Sequence, residues 1–247
     1  MISRSSLLCL FAGIIVVCVG TWESTFSQTL SREGSDRNKD VVLRYLRRVA
    51  GSSDVAIRLY YRGACGSSAE DPISFPLTKV QPPSKGNTGL AAVREIFKND
   101  KNVRITEDAG IIRIWIGKVP TGILRTKLSL LNLNPVAQYN PDQAITVINN
   151  TKEMESAMRS LAFRPVWSAS SSRALPAKEL PHLPASLNDM TVEQVLDLMA
   201  KTWDGPVIYG ACTASNDAST TTKFLIDSAQ DVIPKGAWKK MGLERPD

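Results

Sequence analysis

Few residues in this chain are of a type that performs covalent or acid–base chemistry. There is one histidine and there are four cysteines in 247 residues. His182 lies in Leu180-Pro-His-Leu-Pro184, a proline-bounded loop, and any Cys–His or Ser–His pair would have to use it. A lone loop histidine is more often a surface residue, and a single imidazole excludes a multi-histidine metal site within one chain. Glu107 and Asp108 are adjacent carboxylates, but they sit where a hairpin turn is expected, and turn chemistry explains them. Asp197 and Asp204 are a full helix repeat apart with no second ligand set nearby, and Asn216-Asp217 lacks the spacing of a calcium loop. Asn149-Asn-Thr151 matches a glycosylation acceptor. No nucleophile elbow, phosphate-binding loop or dinucleotide fingerprint occurs. The sequence nominates no catalytic, cofactor or metal residue, and the expectation leans away from an enzyme.

The cysteines depend on where the chain resides. Arg4 precedes an apolar run from Leu7 to Gly20, with no charge until Glu23. That is a basic n-region followed by an h-region too short to span a bilayer, as in a secretory signal. Small residues offer cleavage after Gly20 or after Ser27, so residues 1–27 are expected to leave together with Cys9 and Cys18. A periplasmic or secreted chain then keeps Cys65 and Cys212, and two cysteines in an exported protein most often pair. Gly63-Ala-Cys-Gly66 has the outline of a nucleophile turn, yet Gly210-Ala-Cys212 repeats the setting. Duplicated surroundings suit a Cys65–Cys212 bridge better than one reactive thiol.

The formal charge is +6, with clusters at Arg44, Arg47, Arg48 and at Lys235, Lys239, Lys240, Arg245. A basic exported protein meets anionic polymers and lipid surfaces. Neither cluster has the aromatic interleaving of a single-strand platform, so nucleic acid is not expected.

Stepwise periodicity defines the elements. Val42, Tyr45, Leu46 and Val49 predict a helix over 39–50 stopped at Gly51. Val55, Ile57, Leu59 and Tyr61 alternate as in a half-buried strand, and Ile73 to Val80 is a weaker strand bent by Pro76. Thr88 opens a helix with Leu90, Val93, Ile96 and Phe97 on one face. Asn102–Thr106 and Ile111–Gly117 flank a turn and form the clearest hairpin. Leu124–Leu133 and Gln143–Ile148 are expected as strands, and 151–161 as a helix capped by Asn150 and Glu153, with Met154, Ala157, Met158 and Leu161 inward. Leu183–Leu187 is a short strand. Thr191-Val-Glu-Gln194 has capping-box form and starts a helix that buries Leu196 and Met199 and turns Glu193 and Asp197 to water. Pro206–Tyr209 and Lys223–Asp227 are strands.

Helix, strand, Gly-Ala-Cys, polar loop and strand occur in the same order at both ends of this map, so αββ repetition is expected. The fold class is α+β, built of small βαββ-like units with mostly antiparallel short strands and helices on one face. The divisions are a signal peptide at 1–27, an α+β region at 39–161, a Ser/Pro-rich connection at 162–182, a module at 183–230 and a basic tail at 231–247.

Leu183-Pro-Ala-Ser-Leu-Asn-Asp-Met-Thr-Val-Glu-Gln-Val-Leu-Asp-Leu-Met-Ala200 followed by Pro206-Val-Ile-Tyr209 resembles the short βαββ module of secretins and TonB-dependent transducers, and Thr88 to Gly117 is similar in outline. The resemblance implies a periplasmic interaction module with an envelope protein as partner. The rival expectation is a small binding protein or hydrolase for an anionic envelope polymer, using carboxylates that only the fold brings together.

Overall fold

The computed structural model describes residues 34–66, 72–166, 180–216 and 219–230. The segment expected as a signal (1–27), the 231–247 tail and most of the Ser/Pro-rich connection lie outside them. The first helix, α1, covers 34–53. It runs through Gly51 and ends at Asp54, whose φ of 54° gives the left-handed residue that terminates helices. Val42, Leu46 and Val49 are buried, as the periodicity predicts, with Ala50 beside them, while Tyr45 is half-buried.

Strand β1 (Ala56–Arg62) is buried on both faces except at its last residue, not half-exposed. The cause is topology. It pairs in parallel with β3 (Ile111–Ile116) on one side and with β7 (Pro206–Asn216) on the other. A strand between two parallel neighbours is covered by helices above and below. β2 (Val103–Asp108) forms the expected hairpin with β3, turning at Ala109 and Gly110 with φ of 50° and 75°. β8 (Ser219–Ser228) returns antiparallel to β7, and β5 (Phe163–Pro165) adds in parallel. The sheet order is β2-β3-β1-β7-β8-β5. Segments 39–161 and 183–230 therefore share one sheet.

The class is α+β. Two finer expectations are corrected. Among the described residues three of the six strand pairings are parallel, and the helices cover both faces of the sheet. On one face α1 and α2 (Gly89–Ile96) bury Ile57, Leu59, Tyr61, Ile114 and Ile208. On the other, α6 (Val192–Thr202) and the helices α3 (Pro135–Tyr139), α4 (Pro141–Asn149) and α5 (Lys152–Ser160) bury Tyr60, Val207, Tyr209 and Phe224.

Gln143–Ile148 is helix α4, not a strand. Asn140 caps it by accepting from the amides of Asp142 and Gln143, and Pro141 occupies the first turn. Its β-branched run hid the spacing by which Ala144, Ile145 and Ile148 are buried. α5 is capped by Thr151, while Asn150 closes α4, and Leu161 is 46% exposed rather than inward. Segment 73–80 contributes only the isolated bridge Ala64↔Ser74. β6 (Ser186–Thr191) begins three residues after the expected strand and pairs with β4 (Lys127–Asn132), away from the main sheet.

The two Gly-Ala-Cys segments lie on adjacent strands in parallel register, with Arg62 opposite Ala211: Gly63-Ala-Cys65 follows the end of β1, whereas Gly210-Ala-Cys212 lies inside β7, which runs past the expected end at Tyr209 to Asn216. The glycines are required for different reasons. A Cβ on Gly63 would stand 2.1 Å from the Ser74 carbonyl oxygen, and one on Gly210 would stand 2.3 Å from Tyr61 Cζ. Gly210→Ala is expected to cost about 1–3 kcal/mol by overpacking, read from the urea midpoint. An unchanged midpoint would mean the Tyr61 ring moves aside freely.

Candidate functional site

The polar centre of the fold lies on the α6 side of the sheet. β1 and β3 place Arg58 and Arg113 as Cα partners on neighbouring strands. Like charges in that relation repel, and Arg58 is fully buried, so counter-charge must come from the covering helix. α6 supplies it. Thr191 and Gln194 form the expected capping box, and Val192, Val195, Leu196 and Met199 are buried. This seats the helix so that Glu193 and Asp197, one turn apart, face the two arginines.

Arg58 donates to Asp197 Oδ1 at 2.6 Å, and Arg113 to Asp197 Oδ2 at 2.6 Å. Arg58 also donates to the backbone carbonyl of Glu193 at 3.2 Å. The Tyr60 hydroxyl donates to Glu193 Oε1, and Arg58 stands 3.6 Å from Glu193 Oε2. Each of the four carboxylate oxygens thus faces a guanidinium or a phenol of the same chain. Glu193 and Asp197 do not turn to water; their side chains are 30% and 19% exposed. The α6 periodicity identified the buried apolar positions but not that the flank beside them meets charge.

An aromatic row crosses the sheet beside this network. The Tyr60 ring stacks on Trp115 at 3.9 Å, Arg58 lies over Tyr60 at 4.9 Å and Arg104 over Trp115 at 5.2 Å. The Arg58 contact is desolvated, the setting in which cation–π contacts are strongest, whereas Arg104 is exposed. The hydroxyl of Tyr209 donates to the Pro120 carbonyl at 2.8 Å.

Burial raises Tyr60, Tyr61 and Tyr209 well above the usual phenol range, with nearby carboxylates (Glu193 for Tyr60 and Tyr209) adding to it. Burial works against the Arg113 charge, yet Asp197 and the other neighbours outweigh it and the guanidinium is raised. For the tyrosines the folded pKa exceeds the unfolded one. Their protonated form therefore supports the fold below about pH 10, and that support is lost as pH rises above it. In an absorbance titration these three phenols are expected to stay protonated past pH 10 and to ionise together with loss of the circular-dichroism signal. Their ionisation at pH 10 in the folded protein would contradict this burial.

The other nominated residues are dispersed. His182 is exposed, its Nδ1 lies 3.0 Å from the Leu180 carbonyl, and its ring tilts against Tyr139. Cys65 and Cys212 are joined as a disulfide with Cα atoms 5.4 Å apart, so neither is a thiol partner for an imidazole. Asp108 pairs with Arg113 at 3.7 Å at the hairpin end. Asp204 is buried at the entry to β7, away from the solvent a metal would come from. Asn149 is 7% exposed within α4, which removes it as a glycan acceptor in the folded chain. Arg44, Arg47 and Arg48 lie exposed on α1, with Arg47 donating to the Ala229 carbonyl. Among the described residues no group of His, Cys, Asp and Glu forms a metal-binding cluster, and no helix is long and apolar enough to cross a membrane.

A shallow groove between α5 and the start of β4 is lined by Thr126, Lys127, Lys152, Glu153 and Ser156. Its carboxylate is spoken for as well. The Ser129 hydroxyl and amide donate to Glu153, and these hydrogen bonds hold its carboxyl below the usual range. The sheet, by contrast, ends on one side at β2 with no further strand among the described residues. Gly117 donates its amide to the Asn102 carbonyl directly opposite, which makes that a hydrogen-bonded pair. By alternation, Ile105 and Glu107 turn their backbone N–H and C=O groups outward. No protein-family model, curated protein or solved structure matches this chain.

Proposed function

We propose that this chain is an exported, non-enzymatic interaction module of an envelope or secretion-related assembly, and that it receives a strand of an envelope protein along β2. The observation that carries the reading is the contrast between its two polar sites. The convergent carboxylates Glu193 and Asp197 are each held by internal donors, which leaves them as a structural lock rather than an acid–base pair. The outward backbone groups of β2 are the kind of surface that pairs with an incoming strand. The βαββ resemblance of 183–230 and the disulfide, which suits an oxidising compartment, support the same reading. The exposed arginines of α1 suit an anionic polymer or membrane surface as a secondary contact.

Glu107→Pro tests the docking edge. Glu107 is exposed and its N–H faces away from β3, so proline there leaves the β2–β3 ladder intact and removes one outward donor. Crosslinked pull-downs from envelope extract are expected to lose the wild-type partner with this variant while the melting temperature holds. Equal capture by both proteins would reject β2 as the docking edge. Export is tested by N-terminal sequencing of the processed chain, with cleavage expected after Gly20 or Ser27. An intact N-terminus in the cytosolic fraction would overturn the localisation.

A further inference from the structure

The Cys65–Cys212 bridge has surroundings that a purely mechanical staple does not need. The two sulfurs differ in access: Cys212 is 1% exposed, while Cys65 is only partly buried. Lys223 is the Cα partner of Cys212 across the β7–β8 pair, so the two side chains leave the same face of the sheet. Lysine is rarely buried, yet Lys223 is 7% exposed, and its Nζ donates to the carbonyl of Gly66, next to Cys65, at 3.3 Å. The lysine therefore starts beside one cysteine and ends beside the other. On its far side its register partner is Arg164 of β5, a second cation. Positive charge next to a sulfur stabilises the thiolate, and the sulfur with the more stable thiolate departs faster in exchange.

We propose that Cys65–Cys212 is a reversible thiol–disulfide exchange site, at which an external thiolate attacks the Cys65 sulfur and Lys223 holds the departing Cys212 thiolate. In the forward step the attacking sulfur bonds to Cys65 Sγ, the Cys65–Cys212 bond breaks, and its electron pair stays on Cys212. No proton is transferred in that step. A second thiolate on the reductant then attacks its own sulfur in the mixed disulfide, and Cys65 leaves as a thiolate that takes a proton from solvent. The reductant is oxidised to a disulfide by two electrons. Alternatively, Cys212 attacks the mixed disulfide and restores the bridge.

Reversibility requires the reduced pair to stay in place, and the backbone provides for it. On one side of Cys65, Gly63 donates its amide to the Ala211 carbonyl at 3.0 Å; Ser74 donates to the Ala64 carbonyl at 3.1 Å. These bonds keep the segment docked beside β7 when the sulfurs part.

The test uses the oxidised full-length chain with reduced glutathione in one arm and thioredoxin, a protein dithiol, in the other. Opening is followed by alkylation, and mixed disulfides are located by peptide mass. Glutathione is expected on Cys65 and not on Cys212, and the opening rate is expected to stay flat in urea below the unfolding midpoint. Lys223→Met is expected to open about tenfold more slowly, and Lys223→Arg at the wild-type rate. Opening by glutathione identifies a small-thiol reductant and opening by thioredoxin alone a protein dithiol, and each supports the site. Adducts on Cys212, or opening that occurs only as the chain unfolds, would overturn it. So would equal rates in folded wild-type and Lys223→Met protein. The adduct position and the urea profile need no variant, so they decide the matter even if Lys223→Met fails to fold.

Discussion

Asp197→Ala is expected to lower the unfolding free energy by about 3–5 kcal/mol, the range for breaking a buried ion pair on one side. Asp197 accepts from both Arg58 and Arg113 at 2.6 Å, and the Arg58 side chain is fully buried. Without Asp197, two adjacent guanidiniums are left with Glu193, whose Oε1 already accepts from Tyr60 and whose Oε2 stands 3.6 Å from Arg58. The effect is expected to match or exceed that of Leu196→Ala, a fully buried truncation expected to cost about 2–5 kcal/mol. Glu193→Ala should also cost far more than an exposed helix position does, because it frees the Tyr60 hydroxyl in a buried setting. Replacing Arg58 by Met in the Asp197→Ala background should recover part of the loss, since an apolar side chain of similar length carries no unpaired charge. Urea denaturation of these four variants beside wild type checks this. An Asp197→Ala midpoint within about 0.5 kcal/mol of wild type would show that the network contributes no net stability, as surface pairs often do not.

The second large effect is removal of the bridge. Cys65 and Cys212 are 147 residues apart, so the loop-entropy relation gives about 5 kcal/mol, and measured bridges commonly give 2–4 kcal/mol. The Cys65→Ala, Cys212→Ala double variant is expected to unfold at markedly lower urea with an unchanged folded-state spectrum. The adjoining backbone bonds from Gly63 and Ser74 remain to seat the segment. A denaturation slope that also rises would point to a more expanded unfolded state, the origin the entropy account requires. A midpoint equal to wild type would mean the cross-link does not restrict the unfolded chain.

Local chemistry made much of the secondary structure legible. The Thr191–Gln194 capping box, the i, i+3, i+4 stripes of α1 and α6, and the Ala109-Gly110 turn are signals carried within a few residues. The signal weakened where two local preferences competed. In α4 the Ile-Thr-Val-Ile run favours a strand, while Asn140, Pro141 and the burial of Ala144, Ile145 and Ile148 belong to a helix. The cap and the packing prevail because α4 lies against a core that rewards the 3.6-residue spacing. Pairing of the two cysteines was legible for another reason: residues in duplicated Gly-Ala-Cys settings meet when their strands are neighbours in register, although Cys212 lies inside β7 and not at its end.

The candidate site was not legible, because its residues are close only in space. Arg58 is 139 residues from Asp197, and Arg113 is 84 from it. Within β1, Arg58 appears as the polar residue of an alternating strand, which sequence logic turns to water. Within α6, Glu193 and Asp197 flank the apolar stripe and are also assigned to water. What the sequence by itself determined is therefore the helices α1, α2, α5 and α6, the Ala109-Gly110 turn, most of the apolar faces these helices bury and the two cysteines suited to pair; α3 and α4 were not among them. The tertiary structure alone decided that β1 lies between two parallel strands, so its polar face is covered by α6. A buried charge is tolerated only beside its opposite, and that constraint acts between elements which no local pattern connects.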